Sequence, residues 1–225
     1  MIEAVVFDCD GVLVDSEVLA LEVELAAAAA AGLSYDVGDY KARFMGMTTQ
    51  AFFDLLAEDC RAQTGRDLPD GFQERCYGDY RAALHRLKEV EGAMRAVSAV
   101  AHRKAVASSS TADALEEKLR RTDLWRHFAP HVYSTDLVPN GKPAPDIFLY
   151  AAKMLDADPA RCLVFEDSVN GVRAARAAGM RVWGFSGGGH MDQASSERLL
   201  AAGAERVVEH WDRACGLIAA AGSSA

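Results

Sequence analysis

The sequence has no excess of positive charge, no closely spaced cysteine pair and no long apolar run, and each absence excludes a class of protein. Its 225 residues include 24 lysines and arginines against 33 aspartates and glutamates. The resulting net charge of -9 disfavours nucleic acid or an anionic membrane as a partner, because both would be repelled at long range. The five cysteines are far apart and form no C-x-x-C pair. This spacing favours reduced thiols over a disulfide framework or a zinc site.

Neither a membrane span nor a signal peptide is expected. The alanine run 26–31 is too short to cross a bilayer and is predicted to be helical. Glu3, Asp8 and Asp10 interrupt the first apolar stretch, and no basic segment precedes it. The hydrophobic content of 50% and the charged content of 25% are typical of a globular protein. We therefore expect a cytoplasmic monomer, with a weak homodimer as the alternative.

Short apolar runs alternate with stretches of helical spacing along most of the chain. A continuous apolar run of this length indicates a strand that is buried on both faces, as in a parallel sheet. The predicted strands are 4–7, 104–107, 131–133, 162–165, 181–185 and 206–208. Leu115 and Leu119 repeat at helical spacing between two of them, and Gly179 predicts a helix end. The alternation predicts a doubly wound α/β core with a parallel sheet.

One long segment has helical spacing but no strand pattern. Pairs such as Phe52 with Leu56 and Tyr80 with Leu84 lie within it. We predict an inserted all-α domain over residues 16–88, joined to a core that consists of residues 1–15 and 89–225.

Acidic side chains and hydroxyls follow three of the predicted strands. Asp8 and Asp10 follow the first strand, residues 108–111 follow the second, and Glu166 and Asp167 follow the fourth. In open parallel sheets, ligands bind outside the carboxyl ends of the strands. Carboxylates gathered there would repel one another unless a cation lay between them. Oxygen ligands suit a hard ion, so the pattern predicts Mg²⁺ with a phosphate completing its shell.

Two further segments predict phosphate contacts. Residues 110–113, Ser-Thr-Ala-Asp, match a capping box and predict a helix start, where free backbone N–H groups would bind phosphate next to Ser108. Lys142 precedes Pro143, which keeps it out of a helix, and its ammonium group could reach a phosphoryl group. The alternatives are a plain helix cap for the serines and a solvated loop residue for the lysine.

These segments, taken in order, resemble the four motifs of the haloacid dehalogenase superfamily, in particular its β-phosphoglucomutase-like and sugar-phosphatase branch. The motifs are residues 8–17, the strand end at Ser108, residues 141–143 and residues 166–168. The resemblance covers nearly the whole chain. It implies a Rossmann-like core with a helical cap inserted after the first motif.

The resemblance also implies a mechanism. Asp8 would attack phosphorus and form an aspartyl phosphate, and Asp10 would protonate the leaving oxygen and later activate water. Mg²⁺ would be held by Asp8, by the backbone carbonyl of Asp10 and by Asp167, with Glu166 supporting these ligands. Among the other residues, phosphate binding is expected of Ser108, Ser109 and Lys142, and substrate contact in the cap of Arg43, Gly46 and Thr48. The alternative for Arg43 is a solvated surface charge.

The function predicted from these features is a phosphatase that acts on a small phosphorylated metabolite. Family analogy suggests a sugar phosphate or sugar-acid phosphate, for example 6-phosphogluconate. A phosphomutase and a non-catalytic binding module are the alternatives. Resembling mutases carry a histidine and an arginine where this chain has Ala20 and Thr49, and a hydroxyl cannot replace the bidentate grip of a guanidinium on a distal phosphate. A binding module would not need Asp10 beside Asp8.

Other conspicuous residues are predicted to have structural roles. Residues 187–189, three glycines, are interpreted as a flexible turn, and the adjacent His190 has no partner at metal-ligand spacing. Cys9, between the two aspartates, is interpreted as a small buried residue.

Overall fold

The chain forms two compact units in a computed structural model that describes residues 1–44, 47, 49–191 and 193–223. The core unit comprises Met1–Glu17 and Leu87–Ala225, and the helical unit comprises Val18–Arg86. The helical unit is thus inserted between two parts of the core unit along the chain. Its role as a cap stays a prediction.

The core unit is built on a six-stranded parallel sheet. Its strands are β1 (Ala4–Phe7), β2 (Arg103–Ser108), β3 (Val132–Ser134), β4 (Cys162–Glu166), β5 (Arg181–Phe185) and β6 (Arg206–Val208). They lie in the order β3-β2-β1-β4-β5-β6, which is the order of a doubly wound sheet whose direction of winding reverses beside β1. Phe7 at the end of β1 is in register with Val106 of β2 and with Phe165 of β4. The predicted doubly wound α/β core with an inserted all-α domain is confirmed.

Helices connect the strands and form the helical unit. Those of the core unit are α5 (Ala93–Ala99), α6 (Ala112–Arg121), α7 (Trp125–Phe128), α8 (Asp146–Met154), α9 (Val169–Ala177), α10 (Gln193–Ala201) and α11 (Trp211–Ser223). Helix α1 (Ser16–Ala30) begins in the core unit, and the helical unit continues with α2 (Val37–Phe44), α3 (Thr49–Thr64) and α4 (Phe72–Ala83). Gly179 follows the end of α9 and has a φ of 75°, a left-handed conformation that glycine adopts without strain.

The sheet is buried on both faces, as its continuous apolar strands predict. One face packs aliphatic and aromatic side chains such as Ile147 and Phe148 of α8. On the other face Phe7 contacts Phe165 and Trp211, with ring centroids 5.6 Å and 5.7 Å away. Burying each such side chain stabilises the folded state by about 1.5–3 kcal/mol. Strand β1 is therefore held firmly in the core.

The helical unit has a separate small core. Tyr40 and Phe44 of α2 pack against each other with centroids 4.7 Å apart, and Leu56 of α3 joins the same cluster. Within the described part of the chain, no helix is both long enough and apolar enough to cross a membrane.

Candidate active site

The carboxyl ends of β1, β2 and β4 carry Asp8, Ser108 and Glu166 to one edge of the sheet. All three residues are buried, with exposed fractions of 7%, 1% and 0%. The backbone N–H of Asp8 donates to the carbonyl of Phe165 at 2.9 Å, which continues the pairing of β1 with β4 by one residue. Pairing within the sheet therefore fixes the backbone position of Asp8.

The turn after β1 requires Gly11. Its φ is 72°, a left-handed conformation that favours glycine, and its N–H donates to the Val14 carbonyl at 2.8 Å. A Cβ at this position would lie 1.9 Å from Oδ2 of Asp167 and 2.6 Å from Cε1 of His190. The missing side chain thus lets Asp167 approach the backbone next to the two aspartates.

Lys142 is a buried cation between two carboxylates. Its Nζ lies 2.7 Å from Oδ1 of Asp8 and 3.0 Å from the carbonyl of Ala107, and it also bonds to Oε1 of Glu166. Its side chain is only 5% exposed. Burial opposes the charged ammonium, but Asp8 and Glu166 outweigh that effect and raise the pKa of Lys142 above its ordinary value. The sequence predicts that this lysine can reach a phosphoryl group. In the structure its Nζ contacts the carboxylate of Asp8.

Glu166 is held by its own strand-to-helix turn. Its Oε2 accepts from the N–H of Ser168 at 3.2 Å and from the hydroxyl of Ser168 at 2.9 Å. The hydroxyl of Ser168 also caps α9 by accepting from the N–H of Gly171. A Cβ on Gly171 would lie 1.9 Å from the Glu166 carboxyl group, so this carboxylate rests directly on the first turn of α9.

Asp8 and Glu166, which are buried, and Asp167, which is partly buried, form a cluster of carboxylates. One oxygen from each lies within 4.8 Å of the others. Burial raises the pKa of Asp8 to about 7, against the opposing charge of Lys142. Burial, and then the nearby Asp8 and Glu17, also raise the pKa of Asp167 well above its ordinary value. These three residues offer oxygen donors, and the single charge of Lys142 does not balance three carboxylates, so the cluster fits a hard divalent cation such as Mg²⁺.

Asp10 is bound to different partners from Asp8. Its Oδ1 accepts from Nζ of Lys118 at 2.5 Å and from the hydroxyl of Ser16, and its Oδ2 accepts from the hydroxyl of Ser110 at 2.8 Å. Burial alone would raise the pKa of Asp10, but Lys118 and the two hydroxyls hold it below its ordinary value. Each of the two aspartates of the first motif is thus paired with a lysine, but their pKa values are shifted in opposite directions.

The helix start predicted at residues 110–113 is confirmed, but the predicted capping box is wrong. Helix α6 begins at Ala112 after Thr111, which makes no side-chain cap. The hydroxyl of Ser110, the residue predicted to cap the helix, is bonded to Asp10 instead. The N–H of Ala112 donates to the carboxylate of Asp136 at 2.8 Å. The N–H of Ala112 at the helix start, one of those predicted to be free for phosphate, is therefore hydrogen-bonded to a side chain of the protein.

The structure separates the two serines predicted to bind phosphate. Ser108 is buried, and its hydroxyl accepts from the N–H of Ser110 at 3.0 Å. Ser109 is exposed, and its carbonyl accepts from the hydroxyl of Thr135. Of this pair, Ser108 is the residue brought to the buried edge of the sheet.

In the helical unit, Arg43 forms an ion pair. Its guanidinium binds both carboxylate oxygens of Asp59, with Nε 2.7 Å from Oδ2, and the hydroxyl of Tyr35 donates to the same carboxylate at 2.8 Å. The Arg43 side chain remains 46% exposed, so it is neither buried nor a simple solvated charge. Gly46 and Thr48 lie outside the described residues.

Two polar residues at the site were not predicted from the sequence. Lys118 lies on the buried face of α6 with Leu115 and Leu119. In the sequence, a lysine at the spacing of these two leucines is the feature that could have indicated a buried role. His190 has no partner at metal-ligand spacing in the sequence, but in the structure its Nε2 lies 3.1 Å from Oδ2 of Asp167. Its position after β5, beside the carboxyl ends of the strands, was the signal for that contact.

Comparison with known proteins identifies relatives over most of the chain. A family model described as haloacid dehalogenase-like hydrolase matches residues 2–179. A phosphorylated carbohydrates phosphatase of Thermotoga maritima is 36% identical over 187 residues, which cover 81% of this chain and 84% of that protein. A 6-phosphogluconate phosphatase of Escherichia coli is 28% identical over 191 residues, 84% of this chain and 85% of that protein. A crystal structure from Deinococcus radiodurans with bound phosphate and sodium has a TM-score of 0.87 at 33% identity, covering 98% of this chain and 96% of that one.

Proposed function

This chain belongs to the haloacid dehalogenase-like hydrolases and is a phosphoric monoester hydrolase, and on that premise we propose that it hydrolyses sugar or sugar-acid monophosphates with Asp8 as nucleophile. The observation that carries the proposal is the contact of 2.7 Å between Nζ of Lys142 and Oδ1 of Asp8. A buried ammonium group thus contacts the carboxylate that would attack the negatively charged phosphoryl group. Asp10, the proposed proton donor, lies two residues away.

Mg²⁺ is the proposed cofactor. Asp8, Asp167 and the backbone carbonyl of Asp10 would hold it, with Glu166 fixed behind them by Ser168. When bound, it would neutralise charge on the phosphoryl oxygens and hold them in place for in-line attack.

In the first step, an oxygen of Asp8 forms a bond to phosphorus while the bond from phosphorus to the ester oxygen breaks. Asp10 must carry a proton at this point, although Lys118 favours its carboxylate form; it gives that proton to the departing oxygen, and an aspartyl phosphate remains. Lys142 and Ser108 bind phosphoryl oxygens, and the lysine stabilises the negative charge that spreads over them in the transition state. Its contact with Glu166 keeps it next to Asp8 between steps.

In the second step, water attacks the aspartyl phosphate. Asp10, now a carboxylate, takes a proton from the water, and the bond from phosphorus to Asp8 breaks to release inorganic phosphate. Lys118 and the hydroxyls around Asp10 favour the charged form that this step needs. Both steps use the same pair of aspartates, so neither can be replaced by its amide without loss.

The relatives support the substrate class. The Thermotoga protein is a phosphatase of phosphorylated carbohydrates, and the E. coli protein acts on 6-phosphogluconate. The Deinococcus structure has phosphate bound on a closely similar fold. These are properties of those proteins, and they make hexose, pentose and sugar-acid monophosphates the first compounds to test here. Proposed substrate contacts in the helical unit are Arg43, Gly46 and Thr48.

The test is release of inorganic phosphate from a panel of such monophosphates, with Mg²⁺ or with excess chelator. We expect release that needs Mg²⁺ and is lost in Asp8→Asn, because an amide is a poor nucleophile. Near-normal turnover by that variant, or full activity in chelator, would overturn the mechanism. β-Glucose 1-phosphate with a trace of its bisphosphate is included, and isomerisation faster than phosphate release would identify a mutase instead.

A further inference from the structure

We propose that Lys118 is a positioning residue that holds the Asp10 carboxylate in place for proton transfer. The inference rests on the proposed role of Asp10 as proton donor and acceptor. Lys118 belongs to none of the four motifs that the sequence resembles, and its Nζ contacts Asp10 and Ser110.

The burial of Lys118 is unusual for its helix. The other charged side chains of α6 are solvated, and Glu116 with Arg120 and Glu117 with Arg121 form exposed pairs one turn apart. Lys118 alone among the charged residues of this helix is buried, with 8% of the residue exposed. Burying an ammonium group is costly unless it is paired and hydrogen-bonded, so its partners must offset that cost.

Those partners form a closed triangle with Asp10. Nζ of Lys118 lies 2.5 Å from Oδ1 of Asp10 and 3.0 Å from the hydroxyl oxygen of Ser110. The same hydroxyl donates to Oδ2 of Asp10 at 2.8 Å. A serine oxygen can accept from the lysine while it donates to the carboxylate. Both oxygens of Asp10 are therefore held from one side, which restricts rotation of the carboxylate plane.

The backbone that carries Ser110 is itself fixed. The hydroxyl of Ser134 donates to the Ser110 carbonyl at 2.6 Å and accepts from the N–H of Asp136 at 3.0 Å. The triangle is thus connected to the ends of β2 and β3 as well as to α6. An oxygen misplaced by about 1 Å can cost about 10²-fold in rate, so a fixed Asp10 has a direct kinetic consequence.

Two roles for Lys118 make different predictions. A phosphate ligand would act on substrate whether or not Asp10 is present, and its loss would raise KM. A positioning residue acts through Asp10, so its loss would lower kcat and would have no further effect once Asp10 cannot transfer a proton. The contacts favour the second role, since Nζ is bonded to Asp10 and Ser110.

The test is a double-mutant cycle on kcat for a sugar monophosphate, with Lys118→Met and Asp10→Asn alone and together. We expect Lys118→Met to lower kcat by about 10- to 100-fold, with KM and Mg²⁺ affinity changed less than about twofold. In the Asp10→Asn background, the same change should alter kcat less than about twofold. Lys118→Arg, which keeps the charge and the donors, should recover part of the loss. Arg121→Met, an exposed substitution on the same helix, is the matched control and should retain normal kcat.

An equal loss in both backgrounds, or a raised KM with normal kcat, would overturn the inference. If Lys118→Met does not fold, Ser110→Ala decides, because it removes one side of the triangle with a smaller change, and its loss should likewise vanish with Asp10→Asn. Normal kcat for Asp10→Asn alone would instead refute the proposed role of Asp10, so the two failures are distinguishable.

Discussion

Replacing Lys142 with methionine should destabilise the metal-free core unit strongly and in a pH-dependent way. The side chains of Lys142 and Asp8 are 5% and 10% exposed, and that of Glu166 is fully buried. Methionine fills similar space but leaves two buried carboxylates without their cation. Breaking a buried pair by removing one partner costs about 3–5 kcal/mol, and we expect a loss of about that size at pH 8 in chelator.

The pH dependence follows from the carboxyl groups. Burial raises the pKa of Asp8 to about 7 and raises that of Glu166 above its ordinary value even with Lys142 present. Without the lysine, both folded-state pKa values rise further above the unfolded ones. A carboxyl group whose folded pKa is raised lowers stability as pH increases through that value, because the charged form is favoured in the unfolded chain. The loss should therefore shrink at pH 5, where the two groups become protonated.

The assay is urea unfolding followed by tryptophan fluorescence. All three tryptophans, Trp125, Trp183 and Trp211, belong to the core unit, so the signal reports the unit that contains the substitution. Lys153→Met, an exposed change on helix α8, which follows Lys142 in the chain, is the control. Mg²⁺ at 100 times its Kd should add about 2.7 kcal/mol by pairing with the same carboxylates. A Lys142→Met protein as stable as the control at pH 8 in chelator would refute the reasoning.

Three further substitutions test the site. Asp10→Asn should lower turnover by about 10²- to 10⁴-fold while Mg²⁺ affinity, measured by calorimetry, stays normal, because the proposed ligand is the backbone carbonyl; a large loss of affinity would contradict this. Gly11→Ala should abolish Mg²⁺ binding and turnover, since its Cβ would lie 1.9 Å from Asp167 Oδ2; an active variant would show that the turn can move. His190→Asn should weaken Mg²⁺ binding by about 10-fold, because the side chain that contacts Asp167 is shortened, and unchanged affinity would make the contact incidental.

The core of the fold could be predicted because local pattern and long-range structure agree there. The residues Ala4–Phe7 form a buried run that ends at Asp8, and the abrupt change from apolar to acidic indicates both the strand and its functional end. The same agreement holds at Cys162–Glu166. The bounds of β2 extend one residue beyond the apolar run at each end, since Arg103 pairs with β1 and Ser108 pairs with β3.

The errors occurred where a distant partner competes with a local one. Ser110 has the sequence context of a helix cap, but its hydroxyl is bonded to Asp10, 100 positions away in the chain. Lys118 and His190 are recognisable only when the residues that they contact, Asp10 and Asp167, are placed beside them. Arg43 binds Asp59 on the next helix, a pairing that no spacing within its own segment indicates.

The position of Cys9 has a consequence for how the protein should respond to oxidants. Cys9 is fully buried and lies in the chain between Asp8 and Asp10, in the turn that follows β1. Burial, and then the negative charge of Asp10, raise its pKa well above the ordinary value. Because the thiolate is the reactive form, this cysteine should resist alkylation and peroxide at neutral pH even though it adjoins the nucleophile. Catalytic capacity should therefore persist in air without added reductant, and iodoacetamide should leave turnover intact.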